Sequence, residues 1–103
     1  MKTTIKILLC DKTAPVGKLA DAEVHFDGGE LDDLKLVGFA VWMRRDGNGC
    51  NVTFPSRQFV LHGDRRSFAL LRSVGNPNSQ NAIREAILQA YADCEREPDR
   101  LAS

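Results

Sequence analysis

From Leu19 to Phe26, Ala20, Ala22, Val24 and Phe26 alternate with Leu19, Asp21, Glu23 and His25. That period of two predicts a strand with one buried and one wetter face. Thr3 to Leu9, rich in Thr, Ile and Leu, predicts a first strand ahead of it. Between them, Pro15 lacks a ladder donor and Gly17 favours a turn, so Asp11 to Lys18 is read as a reversal. Asp27-Gly28-Gly29-Glu30 predicts a second reversal.

The strongest pattern runs from Leu34 to Arg57. Two β-prone runs, LKLVGFAVWM and CNVTF, flank RRDGNG, whose Asp46-Gly47 and Asn48-Gly49 pairs tolerate the positive φ of a tight turn. An antiparallel hairpin is expected. Strict alternation puts Leu34, Leu36, Gly38, Ala40 and Trp42 on one face and Lys35, Val37, Phe39, Val41 and Met43 on the other. Apart from Lys35 neither face is polar, which predicts cover on both sides, from a helix and from a second subunit.

Pro55 interrupts the pairing; Gln58 to Leu61 can briefly rejoin the sheet before a turn at His62-Gly63-Asp64. Arg65 to Val74 predicts a further strand centred on Ser67 to Leu71, and Gly75 to Ser79 ends it. From Ser79 to Arg96 the period changes to that of a helix. Ala82, Ile83, Ala86, Ile87, Ala90, Tyr91 and Cys94 form one apolar stripe, with Asn78 or Ser79 as cap and Pro98 as stop. The fold class is α+β, a mainly antiparallel β-sheet followed by one C-terminal helix. One domain over 1–97 is expected, with 98–103 as a short tail.

Composition narrows the function classes. A hydrophobic fraction of 43% and a charged fraction of 27% are those of an ordinary globular chain. Fourteen basic and fourteen acidic residues give net zero charge, so attraction to nucleic acid or an anionic membrane requires charge segregation on the fold. The three cysteines, Cys10, Cys50 and Cys94, are widely spaced and odd in number, which fits a reduced protein better than a disulfide framework. With no signal-peptide pattern and no apolar run of bilayer length, a cytoplasmic location and no membrane partner are expected.

The residues that carry chemistry are scattered. Cys50 has no base beside it, and His25 and His62 lie far from it in sequence. Asp27, Glu30, Asp32 and Asp33 lack the ligand spacing of a calcium loop. No catalytic residue, metal or cofactor is expected, and the chain is read as a non-enzyme. Arginine is more informative: Arg44 and Arg45 at the hairpin end, Arg57 after Pro55-Ser56, Arg65, Arg66 and Arg72 around the next strand, and Arg84 on the helix. If the loops converge, their guanidinium groups form a phosphate-binding surface; otherwise Asp46, Asp64 and Glu85 are local partners. Periodicity assigns most aromatic residues, Phe39, Trp42, Phe54, Phe59, Phe68 and Tyr91, to the core, with Trp42 a candidate for a dimer interface.

The order of motifs resembles the stage V sporulation protein G (SpoVG) family of small bacterial proteins. The similarity begins near Phe26 and strengthens at Asp33-Leu34-Lys35-Leu36-Val37. It continues through Val52-Thr53-Phe54-Pro55-Ser56-Arg57 and Gly63-Asp64-Arg65-Arg66 to Asn78-Ser79, Ile83, Glu85-Ala86-Ile87-Leu88 and Tyr91. The chain departs from the family in its longer hairpin, its RRDGNG tip and Leu70-Leu71-Arg72 in place of a His-Pro-Ile-like passage. The resemblance implies a sheet with a C-terminal helix, a homodimer, and DNA or RNA binding in the regulation of sporulation, septation, cell division or virulence. By the same resemblance Arg57, Arg66 and Arg84 fall at or near basic positions.

The expectation is therefore a dimeric, non-enzymatic regulator. It binds DNA or RNA through Arg57, Arg65, Arg66 and Arg84, with Arg44 and Arg45 as a second contact. The alternative is a protein-interaction or assembly module that uses sheet edges and an apolar interface without nucleic acid.

Overall fold

Short reversals between β-prone runs favour pairing of neighbours in sequence. In the computed structural model, which describes residues 2–96, β1 (Lys2–Leu9), β2 (Lys18–Asp27), β3 (Lys35–Met43) and β4 (Cys50–Thr53) form an antiparallel four-stranded sheet in chain order. A 3₁₀ turn, Gly29–Leu31, lies between β2 and β3. β5 (Ser56–Leu61) and β6 (Asp64–Ala69) form a separate two-stranded sheet, and the helix α1 (Ser79–Arg96) follows.

The helix covers one face of the four-stranded sheet, against β1, β3 and β4. Ile7, Ala20, Ala22, Val24, Phe39, Val41 and Val52 supply the sheet side of the core, and Ile87 and Tyr91 the helix side. Phe39, Ile87, Val24 and Val41 are the largest fully buried side chains. Each stabilises the fold by about 1.5 to 3 kcal/mol relative to exposure. The opposite face is polar along β2, where Glu23 bonds His25 at 2.9 Å and Lys35 at 3.2 Å, and Lys18 pairs with Asp21 at 2.7 Å. On that face the Trp42 indole N–H donates to the Thr53 hydroxyl at 3.0 Å.

Four expectations need correction. Strict alternation along β3 fails at a bulge: Ala22 faces Phe39 but Val24 faces Leu36, so Leu36 shares the helix side with Phe39 and Val41. Gln58 to Leu61 does not rejoin the main sheet but pairs only with β6. The strand expected around Ser67 to Leu71 starts earlier and ends at Ala69. On α1, Ala82 and Ala86 are exposed, and Leu88 and Arg84 are half-buried in their place. The 98–103 tail lies outside the described residues.

The radius of gyration is 15.2 Å. A compact domain of this length has about 13 Å. The β5–β6 hairpin pairs with no strand of the main sheet and its residues are largely exposed; it is called the arm below.

Candidate functional site

The arm is built by a two-residue turn, His62-Gly63, with φ of 52° and 83°. Two successive positive φ values make a turn whose twist matches a β-hairpin. Pairing runs from Leu61 opposite Asp64 down to Ser56 opposite Ala69. One face therefore carries Arg57, Phe59 and Leu61 from β5 with Phe68, Arg66 and Asp64 from β6. The other carries Ser56, Gln58 and Val60 with Ala69, Ser67 and Arg65.

Both ends of the arm are fixed at its root. The Leu70 N–H donates to the Pro55 carbonyl at 2.9 Å and closes the hairpin. Pro55 is buried against Gly38 of the β3 bulge, where φ is +106° and a Cβ would lie 2.8 Å from Pro55 Cβ. Glycine is thus required there twice, for its backbone and for the close approach. Phe54 packs edge-on against buried Phe39 with centroids 5.2 Å apart, and the Arg84 guanidinium lies 5.1 Å above the Phe54 ring. After β6, Gln80 of the helix donates to the Leu71 carbonyl at 2.7 Å.

Beyond its root the arm is solvated. Phe59 is 37% exposed, Leu61 44% and Phe68 36%, although the Phe59 and Phe68 rings meet at 5.6 Å. Arg72 lies 5.4 Å above Phe68. An isolated two-stranded hairpin is marginal in water, and a contiguous apolar face rimmed by charge marks an interaction surface. Sequence reasoning placed Phe59 and Phe68 in the core because the sheet was expected to continue through them. The missed signal is the run Phe59-Val60-Leu61, apolar on both faces of a strand held between Pro55 and His62-Gly63.

The arginines singled out by sequence fall in three places. Arg57 and Arg66 share the apolar face of the arm, while Arg65 points to the other face with Gln58 and Ser67. Arg44 and Arg45 lie in the β3–β4 turn, about five strand residues or roughly 17 Å from the arm root. Arg84 sits on α1 over Phe54 and donates to Asn81. Arg57, Arg65 and Arg66 make no ion pair among the described residues. No single surface collects all six.

The remaining candidate chemistry is quiet. Burial, reinforced by the Glu95 carboxylate, pushes the Cys50 thiol up, which lowers its thiolate fraction. The Tyr91 hydroxyl donates to Glu95 at 2.7 Å; burial first and that bond second push its pKa well above the usual phenol range. Among the described residues no three His, Cys, Asp or Glu side chains gather as a metal site, and no helix is long and apolar enough to cross a membrane. No family model, curated protein or solved structure matches the chain.

Proposed function

We propose that the protein is an assembly module, homodimeric and cytoplasmic, whose β5–β6 arm is its protein-binding element. The observation that carries this reading is the arm itself: a two-stranded hairpin, separate from the main sheet, with Phe59, Leu61 and Phe68 exposed on one face. Covering that face removes apolar surface from water at about 25 cal/mol per Å², and the covering chain stabilises a hairpin that is marginal alone. Dimerisation in the family that the motif order resembles is compatible with it. Binding of DNA or RNA has less support, because the candidate arginines lie in separate places and the net charge is zero.

The test is sedimentation velocity on the purified chain and on the Phe59→Ser, Phe68→Ser double variant. Both positions are solvent-exposed, so the variant keeps its helical circular dichroism. The wild-type protein sediments as a dimer and the variant as a monomer. A variant that sediments as the wild type does removes the arm from the interface.

A further inference from the structure

The arm is paired on one side of β5 only. β5 bonds β6, has no strand on its other edge, and is exposed along its whole length. The Leu70 N–H bonds the Pro55 carbonyl, and pairing continues in that register to Leu61 opposite Asp64. Bonding alternates along an antiparallel strand, so Arg57, Phe59 and Leu61 direct their backbone groups at β6 while Ser56, Gln58 and Val60 direct theirs to the free edge. Such a row of unpaired N–H and C=O groups is a template for another strand.

We infer that β5 of one protomer pairs antiparallel with β5 of a second copy across a two-fold axis, Phe59 opposite Phe59, so that the two arms form one four-stranded sheet in the order β6-β5-β5-β6. This rests on the assembly reading and adds how the arm binds. Bonding and charge together select the register. Outward residues have to face outward residues, which leaves two registers that overlap five residues of the strand, one centred on Gln58 and one on Phe59. Centred on Gln58, Arg57 stands diagonal to Arg57 of the second copy, within reach of side chains that long, and the like charges repel. Centred on Phe59, Arg57 faces Leu61, Gln58 faces Val60, and the two Phe59 rings meet at a closely spaced pair, where aromatic contact is favourable.

The arm's other charges agree with that register. Asp64 falls in one row with Arg57 of the second copy, opposite in sign and about 10 Å away across Leu61. The two Arg66 residues stand at the outer ends of the central row, about 14 Å apart and beyond the Debye length of about 8 Å. Arg65 lies on the other face, again on the outer strand. Pairing through β6 fails the same test: its five-residue registers, centred on Arg66 or Ser67, put Arg66 opposite or diagonal to its own copy. β1 and β4 have free edges too, but they belong to a four-stranded sheet already covered by the helix. The two-stranded arm is the element that needs more strands to be stable. Because the contact is the same on both copies, it closes as a dimer.

Proline substitutions on the two edges of the arm test the pairing. Gln58→Pro removes an outward N–H and leaves the β5–β6 bonds in place; Ser67→Pro does the same on the free edge of β6. Both carry a similar backbone cost, and circular dichroism checks that each is folded. In sedimentation velocity Gln58→Pro dimerises at least about 10-fold more weakly than wild type, since one bond is lost on each side of the axis, whereas Ser67→Pro matches wild type. Mild oxidation of Gln58→Cys mixed with Val60→Cys gives a disulfide between the introduced cysteines, mapped by mass spectrometry, because the Cα spacing of about 5.5 Å in a bonded pair suits one. Linkage of Gln58→Cys to itself in its place overturns the register. A dimer that Ser67→Pro weakens as much as Gln58→Pro, without that mixed disulfide, overturns β5 as the seam. A dimer that Phe59→Ser, Phe68→Ser disrupts but both prolines leave intact overturns strand pairing, while the arm remains the interface. A wild-type chain that is monomeric at every concentration overturns the assembly reading and this inference together.

Discussion

Gly38→Ala tests how the arm is tied to the sheet. The new methyl group would lie 2.8 Å from Pro55 Cβ, and φ at this residue is +106°. Carbon atoms in contact sit about 3.5 to 4.0 Å apart, so Pro55 has to move by roughly 1 Å. The backbone conformation costs an L-residue about 1 to 2 kcal/mol, and overpacking adds about 1 to 3 kcal/mol. The expected loss of about 2 to 5 kcal/mol is a large part of a domain's stability of about 5 to 15 kcal/mol. With a urea slope of about 1.5 kcal/mol/M, the midpoint falls by roughly 1.3 to 3.3 M. Gly47→Ala is the control: φ is +75° there, but no atom lies within 4 Å of the added carbon. It carries the backbone cost alone, about 1 to 2 kcal/mol. Urea unfolding at one fixed protein concentration measures both. Equal losses in the two variants, within about 0.5 kcal/mol, refute the Pro55 contact as a constraint on the arm.

Other perturbations follow from the same structure. Ile87→Ala opens a cavity under a fully buried helix residue and costs about 2 to 5 kcal/mol in urea unfolding; a loss under about 1 kcal/mol contradicts the helix placement. Because the folded-state pKa of Tyr91 is raised above its ordinary 10.0, its contribution is fully present below pH 10.0 and is lost as pH rises beyond. The fall in urea midpoint above that pH is therefore shallower in Tyr91→Phe, and the 295 nm absorbance of this single tyrosine rises later in the folded protein than in urea. The Glu23 carboxyl is held below its ordinary 4.5, by His25 first and Lys35 next, so Glu23→Gln flattens the loss of stability as pH falls through and below that value. Titrations of duplex DNA, single-stranded DNA and RNA across a salt series show no saturable binding; salt-sensitive binding abolished by Arg57→Ala or Arg66→Ala would instead make the arm a phosphate contact.

The main sheet and the helix were legible because their patterns are local. Ala20, Ala22, Val24 and Phe26 line the helix side of β2 as their spacing requires, and α1 spans Ser79 to Arg96 as expected. Misreadings arose where tertiary structure overrode a period. Gly38 inside a strand pattern is a bulge signal, but only its contact with Pro55 shows why the alternation shifts there and carries Leu36 to the helix side. Likewise, Gln58 to Leu61 has the composition of a strand, and composition does not say which strand it pairs with. The arginine positions were plain in the sequence; their distribution over arm, turn and helix depends on strand register, which a single sequence leaves open.

Hydrogen exchange of the arm amides, Ser56 to Ala69, at low and high protein concentration tests the central claim most directly. Every residue of β5 is exposed within one protomer, so an uncovered arm exchanges fast. The account predicts protection of the arm that grows as concentration rises, while protection of the Ile87 region stays constant. Fast exchange in the arm at every concentration would contradict it.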